Sequence, residues 1–213
     1  MLPNRLRLIA SMVKHGSVVA DIGTDHAYLP VYLVKENICP RALACDIRPL
    51  PLEKGRQNIS LNHLEDKIET RLSDGLNAIS KGEADTFTIA GMGADVLIHI
   101  LSSCDYIKSD RYTLIIQPMS RYYELITWLY QNGFVIENQK CTHEGNRRYT
   151  VIKARYTGQK NDFSEADTYI GAMDLEDSEC REFLQGEIKK AERRAIGNPE
   201  LKPTIEELKE NLK

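Results

Sequence analysis

Three carboxylates stand at the ends of short, apolar or β-branched segments: Asp21 in VVADIG, Asp46 in ALACDI and Asp74 in the SDGL that follows IETRL. Asp21 lies in Val19-Ala20-Asp21-Ile22-Gly23-Thr24-Asp25-His26, a strand-like run that empties into a glycine-containing turn before a helix. Such a turn lets helix-N-terminal amides approach a carboxylate or phosphate, because glycine keeps side chains out of the way. Asp46, 25 residues after Asp21, is placed as an acidic residue that accepts from both ribose hydroxyls of an adenosine. Asp74-Gly75 can accept from an adenine amino group. Each carboxylate taken alone also reads as a helix cap or turn residue. Three of them closing three successive strands point instead to an adenosine-containing ligand.

The turn discriminates between such ligands. A dinucleotide calls for G-x-G-x-x-G, whereas Gly23-Thr24-Asp25-His26-Ala27-Tyr28 has one glycine and an acidic side chain where a pyrophosphate would approach. S-adenosylmethionine carries no phosphate, bears a sulfonium cation and ends in an amino acid. Asp21 or Asp25 can meet its ammonium while helix-N-terminal amides meet its carboxylate.

The elements that position these residues alternate in type. Helical spacing over Arg5–Lys14 precedes a strand over Ser17–Ile22; a helix at Ala27–Lys35 leads to a strand at Ala42–Ile47, and a helix at Pro51–Asn62 to a strand at Ile68–Leu72. A short helix is expected after Gly75, then a strand over Asp85–Ala90 running into Gly91-Met92-Gly93. A helix over Ala94–Leu101, a strand over Tyr112–Gln117 and a helix over Ser120–Gln131 follow. Phe134–Glu137 and Tyr149–Ala154 are joined through CTHEGNRR with no room for a helix, so they are expected to pair as an antiparallel hairpin. The order predicts an α/β, Rossmann-like sheet, mostly parallel, with an antiparallel edge. After Gly158 a single apolar stripe, Met173, Cys180, Leu184, Ile188, Ala191 and Ala195, is broken at Gly197-Asn198-Pro199 and resumes at Ile205, Leu208 and Leu212, the pattern of a C-terminal helical hairpin or coiled coil over 159–213.

Composition removes several classes. Of 213 residues, 42% are hydrophobic, enough for a full core. No run approaches a membrane span, and the arginine-bearing N-terminus lacks a signal-peptide cleavage site. Five scattered cysteines without a C-x-x-C pair predict neither a disulfide framework nor a metal site, and a cytoplasmic setting. Cys141-Thr142-His143 reads as a loop pair rather than metal ligands, and Cys45 and Cys104 as core. The net charge of −3 gives no bulk attraction to nucleic acid. Contact with RNA would rest on local groups: Arg5 and Arg7 in the first helix, Arg147 and Arg148 in the final hairpin, and Lys189, Lys190, Arg193 and Arg194 on one helical face. The last four read equally as a solvated flank.

DIGTDHAYLP (21–30), CDIRPLPLEKGRQNI (45–59), SDGL (73–76), IAGMGADVL (89–97) and LIIQPMSR (114–121) together resemble the bacterial tRNA (adenine(22)-N1)-methyltransferase family, within the class I S-adenosylmethionine-dependent methyltransferases. The resemblance covers nearly the whole chain and extends to the C-terminal coiled coil. It implies a methyltransferase domain over 1–158, S-adenosylmethionine as cofactor, tRNA as partner, and methyl transfer to N1 of an adenine in the D-arm. Asp21, Gly23, Asp25, His26, Asp46, Ile47, Asp74, Gly75, Ala90, Gly91 and Met92 are then expected at the cofactor. The acceptor pocket is expected beside Gly91, with the Gln117 amide on the base edge and Tyr28 stacked on the base, Tyr122 and Tyr123 being the alternatives. Other readings are a methyltransferase on another nucleobase or a small molecule, or a tRNA-binding protein that keeps the cofactor site without turnover.

Overall fold

The computed structural model describes residues 2–160 and 162–213. A first helix, α1 (Asn4–Met12), leads into β1 (Val19–Ile22), α2 (Tyr28–Lys35), β2 (Ala42–Asp46), α3 (Pro49–Leu61) and β3 (Ile68–Leu72). Then come β4 (Thr86–Gly93), α4 (Ala94–Ser102), β5 (Thr113–Ser120), α5 (Tyr122–Gln131), β6 (Phe134–Glu144) and β7 (Arg147–Tyr156). The seven strands form one sheet in the order β3-β2-β1-β4-β5-β7-β6. The first five are mutually parallel, and β7 joins β5 and β6 antiparallel.

Every residue of β1 and β2 is buried, because helices cover both faces of the sheet; this is why VADI and ALACD are continuous apolar runs rather than alternating ones. Two apolar clusters result. Ile9, Leu33, Ala44 and Ile115 belong to one, and Phe87, Leu97, Leu114 and Ile116 to the other. From β1 the chain builds outward through β2 and β3, then returns to the opposite side of β1 as β4. That reversal opens a crevice at the carboxyl ends of β1 and β4, where ligands bind in open α/β sheets.

Two expectations are corrected here. The stretch after Gly75 is a series of turns rather than a short helix. The polar CTHEGNRR is mostly strand: β6 runs to Glu144, β7 starts at Arg147, and only Gly145-Asn146 turn the chain. The polar side chains lie outside while Cys141, Tyr149 and Thr150 are buried, so the segment alternates as a half-covered antiparallel pair does.

The C-terminal residues form α6 (Glu165–Ile170), α7 (Ser178–Ala195) and α8 (Lys202–Glu210). A capping box between Ser164 and Asp167 starts α6, and the Asp177 side chain caps α7. Cys180, Leu184, Ile188, Ala191 and Ala195 are buried as the stripe predicts, whereas Met173 precedes the helix and bridges Gln139 of β6. Helix α8 runs back along α7, with Lys209 Nζ 3.2 Å from Glu192 Oε1. Rather than standing apart, this hairpin packs on the sheet: Leu184, Ile188, Ile205 and Leu208 share one core cluster with Phe87 and Ile152.

Candidate active site

The crevice between β1 and β4 holds a cavity of about 500 Å³. Asp21, Gly23, Asp25, Tyr28, Asp46, Ile47, Asp74, Gly75, Ala90, Gly91 and Met92 all line it. Of the residues expected there, His26 does not: its ring stacks on Tyr28 at 5.4 Å, and its carbonyl accepts from Asn58 Nδ2 at 2.9 Å. Arg5, Arg48, Ser73, Val96 and His99, which nothing in the sequence marks as cavity residues, line it too.

The turn after β1 is fastened to the end of β2. Gly23 and Thr24 donate their N–H groups to the Cys45 carbonyl at 2.8 Å each. Asp46 accepts from the Asp25 N–H at 3.3 Å and the Arg48 N–H at 2.9 Å, so its carboxylate ties both loops at the cavity wall. Gly23 has φ of +75°, the left-handed conformation this turn needs, and a Cβ there would meet only the movable tip of Met92, 2.3 Å from its Cε.

Asp21 is buried, and its Oδ1 accepts from Thr88 Oγ1 at 2.7 Å. Thr88 is its register partner on β4. Burial, with a smaller contribution from the nearby Asp46 charge, raises the Asp21 carboxyl from 3.8 to about 6 against the pull of that hydrogen bond. A carboxylate held this way gains from any cation that enters the cavity. The sequence does not mark Thr88: in DTFTIA it stands beside a second buried threonine, Thr86, and only the pairing of β4 with β1 distinguishes the two.

Strand β4 carries a register shift between Ala90, opposite Gln117, and Met92, opposite Pro118. Pro118 has no N–H to give the ladder. Gly91, at φ of +79°, turns its own N–H to Gln117 Oε1 at 3.2 Å, and Gln117 Nε2 donates to the Pro118 carbonyl at 2.7 Å. Gln117 is fully buried and does not line the cavity. Its amide is therefore spent on holding the backbone of β4 at the cavity wall, not on a base edge. The aromatic expectations separate in the same way. Tyr28 is 51% exposed and lines the cavity. Tyr122 is buried and donates to the Tyr169 carbonyl at 2.7 Å, and Tyr123 has its ring stacked on Tyr169 at 4.7 Å.

The expected RNA-facing groups divide between separate parts of the surface and one shared cavity. Arg7, Arg147, Lys189 and Arg193 are exposed. Arg148 pairs with Glu182 and Lys190 with Glu187, while Arg194 bridges the hydroxyls of Tyr123 and Tyr169. With Arg121, the groups Arg148, Lys190, Arg193 and Arg194 line a second cavity of about 400 Å³ between the end of β5 and α7. Among the described residues no His, Cys, Asp and Glu cluster could hold a metal, and no helix is long and apolar enough to cross a membrane. Burial pushes the Cys39 and Cys45 thiols up to about 12, as befits core residues, and His143 of the Cys-Thr-His triplet instead meets Glu179 at 2.8 Å.

The donor set fits S-adenosylmethionine better than a dinucleotide. Asp25 occupies the turn, and Pro30 removes an N–H from the first turn of α2, so a pyrophosphate loses donors it would need. Asp46, Asp74 and Asp21 are suited to ribose hydroxyls, an exocyclic amine and a cation respectively.

Sheet order, switch-point cavity and carboxylate set define a Rossmann-like class I methyltransferase architecture. The chain belongs to the methyltransferase domain family, whose profile matches residues 2–152. It is 35% identical over 153 residues to the tRNA (adenine(22)-N(1))-methyltransferase of Bacillus subtilis, a match spanning 72% of this chain and 64% of that protein. The crystal structure of a candidate tRNA (m1A22) methyltransferase from Streptococcus pneumoniae superposes with a TM-score of 0.88 at 30% identity, covering 100% of both chains; a second structure of that protein contains S-adenosyl-L-methionine. A Mycoplasma capricolum structure containing S-adenosyl-homocysteine gives a TM-score of 0.82 at 26% identity, over 100% of this chain and 98% of that one.

Proposed function

We propose that this protein transfers a methyl group from S-adenosylmethionine to N1 of adenine 22 in tRNA. The observation that carries the reading is full-length likeness, C-terminal helices included, to the Streptococcus pneumoniae protein, joined to a cavity whose carboxylates suit a cationic adenosyl cofactor. When bound, the cofactor supplies an electrophilic methyl on a sulfonium. Residues 1–158 would form the methyltransferase domain and 159–213 an extension that helps seat tRNA, and the enzyme would work in the cytoplasm.

Adenine N1 has an in-plane lone pair and is a neutral nucleophile, so alignment matters more than activation. N1 also lies on the Watson–Crick edge, so the base must leave its pair before it can enter the cavity. Gly91 presents no side chain at the end of β4, and Gln117 holds its backbone in place. Backbone carbonyls of Ala90 and Gly91 are suited to receive the N6 hydrogens, which become acidic once the ring is methylated. Tyr28, exposed at the cavity wall, offers a stacking surface.

The test incubates the protein with methyl-labelled S-adenosylmethionine and unmodified tRNA transcripts, followed by nucleoside analysis. Label is expected in 1-methyladenosine and is expected to vanish when adenine 22 is replaced. Label in another nucleoside, or none in tRNA, would overturn the proposal.

A further inference from the structure

Met119 stands where the two cavities adjoin. It lies at the carboxyl end of β5, and its neighbours Pro118 and Ser120 pair with Met92 and Gly93 of β4. The Gln117 amide spans the gap between the strands. Its Oε1 accepts from the Gly91 N–H at 3.2 Å, and its Nε2, besides donating to the Pro118 carbonyl, lies 3.5 Å from Met119 Sδ. One buried side chain therefore holds both the bare backbone at the end of β4 and the thioether of Met119. Met119 is nonetheless 46% exposed, and among the described residues it is the one exposed large apolar side chain that lines the second cavity.

An exposed apolar residue is ordinary by itself. Leu50, Leu61, Leu72 and Ile196 are exposed too, and line neither of these cavities. The surroundings of Met119 are different. The same cavity carries Arg121, Arg148, Lys190, Arg193 and Arg194 against the single carboxylate of Glu187. Ion pairs tie Arg121 to Asp95 at the start of α4 and to Glu124, so the rim of the first cavity at Val96 is continuous with that of the second. A polyanionic strand drawn to this basic wall runs past an apolar tip set beside Gly91. Side chains of this kind, methionine among them, enter nucleic acids between base steps and unstack them. An adenine methylated at N1 has to leave its pair and its stack, and the place it vacates calls for an apolar occupant.

We propose that Met119 is a strand-opening wedge: it enters the RNA stack beside the target adenine and fills the space the base leaves, while the basic wall of the second cavity holds the flanking phosphodiesters. The proposal rests on the tRNA reading above. It makes Met119 a specificity-determining residue that gives access to a paired adenine and takes no part in cofactor binding.

The experiment compares methylation of two synthetic tRNAs by the full chain at saturating S-adenosylmethionine. In one, adenine 22 faces uridine; in the other it faces an abasic residue and has no pairing partner. Met119→Ala is expected to lose about tenfold in kcat/KM on the paired substrate and to stay within about twofold of wild type on the unpaired one. Met119→Leu, which keeps the bulk without the sulfur, is expected to stay within about threefold of wild type on both. A second readout places 2-aminopurine at position 22, whose fluorescence rises on unstacking. Wild type with S-adenosylhomocysteine is expected to brighten it, and Met119→Ala to leave it near the level of the free RNA. Equal losses on the two tRNAs would make Met119 a general contact and would overturn the proposal, as would no loss on either. A fall in S-adenosylhomocysteine affinity of Met119→Ala, measured by calorimetry, would mean a distorted β4 wall and would overturn it as well. Absence of product from wild type with both tRNAs would overturn the tRNA reading, and the wedge with it.

Discussion

Replacing Asp21 with asparagine should stabilise the free protein near neutral pH while weakening its hold on the cofactor. Asp21 is buried, and its carboxyl is raised from 3.8 to about 6. Between those values the folded state binds more protons than the unfolded chain, so the contribution of Asp21 to stability is full below pH 3.8 and is lost as pH rises through about 6. Above that, the interval at 1.36 kcal/mol per pH unit amounts to a cost of about 3 kcal/mol. The asparagine side chain cannot ionise and keeps an oxygen for Thr88 Oγ1, so the variant escapes the cost without orphaning the hydroxyl. Urea unfolding of wild type and Asp21→Asn at pH 5 and pH 7.5, without ligand, isolates the effect because the other carboxylates cancel in the difference. The variant's advantage should grow by about 1.4 kcal/mol between the two pH values, about one pH unit's worth below the folded pKa. In thermal melts that is a relative gain of about 3–6 °C for a chain of this size. A variant less stable at pH 7.5, with a difference that does not change with pH, would refute the assignment of Asp21 as a buried carboxylate waiting for a cation.

Gln117→Leu should leave the Gly91 N–H without its acceptor, costing about 1–3 kcal/mol in urea unfolding, and should lower kcat more than it raises the KM for cofactor, since the β4 backbone then drifts at the acceptor end. Unchanged stability would mean that Gln117 does not hold Gly91. Lys189→Ala with Arg193→Ala removes two exposed charges and leaves the Arg194 contacts to Tyr123 and Tyr169 intact. If α7 meets tRNA phosphates, KM for tRNA should rise with kcat preserved, and the salt dependence of binding should flatten by about one to two units of slope; an unchanged slope would remove α7 from the interface.

What could be read from the sequence was local. Asp21, Gly23, Asp46 and Asp74 announce themselves because a strand, a turn and a carboxylate follow one another within a few residues, and the structure gathers all four around one cavity. The residues that were misplaced depend on contacts distant in sequence. Arg5 belongs to the cavity only because α1 is tied to Glu144, 139 residues away. The role of Gln117 follows from Pro118 interrupting the ladder beside a bulge in another strand, which no spacing along β5 reveals. The length of the β6–β7 hairpin was hidden because its polar outer side resembles a loop, and only the burial of Cys141, Tyr149 and Thr150 beneath α1 and α7 makes it a strand pair. The apolar stripe of α7 was legible from its period, but period alone does not say whether a stripe meets another helix or a sheet; here it meets both.

The cavity between β1 and β4 is built for a cationic adenosyl ligand and against a pyrophosphate. The most direct test is a titration of the purified protein with S-adenosylmethionine and, separately, with NAD. Saturable binding of S-adenosylmethionine with no measurable heat from NAD over the same range is the predicted result. Binding of NAD as tight as or tighter than that of S-adenosylmethionine would contradict it.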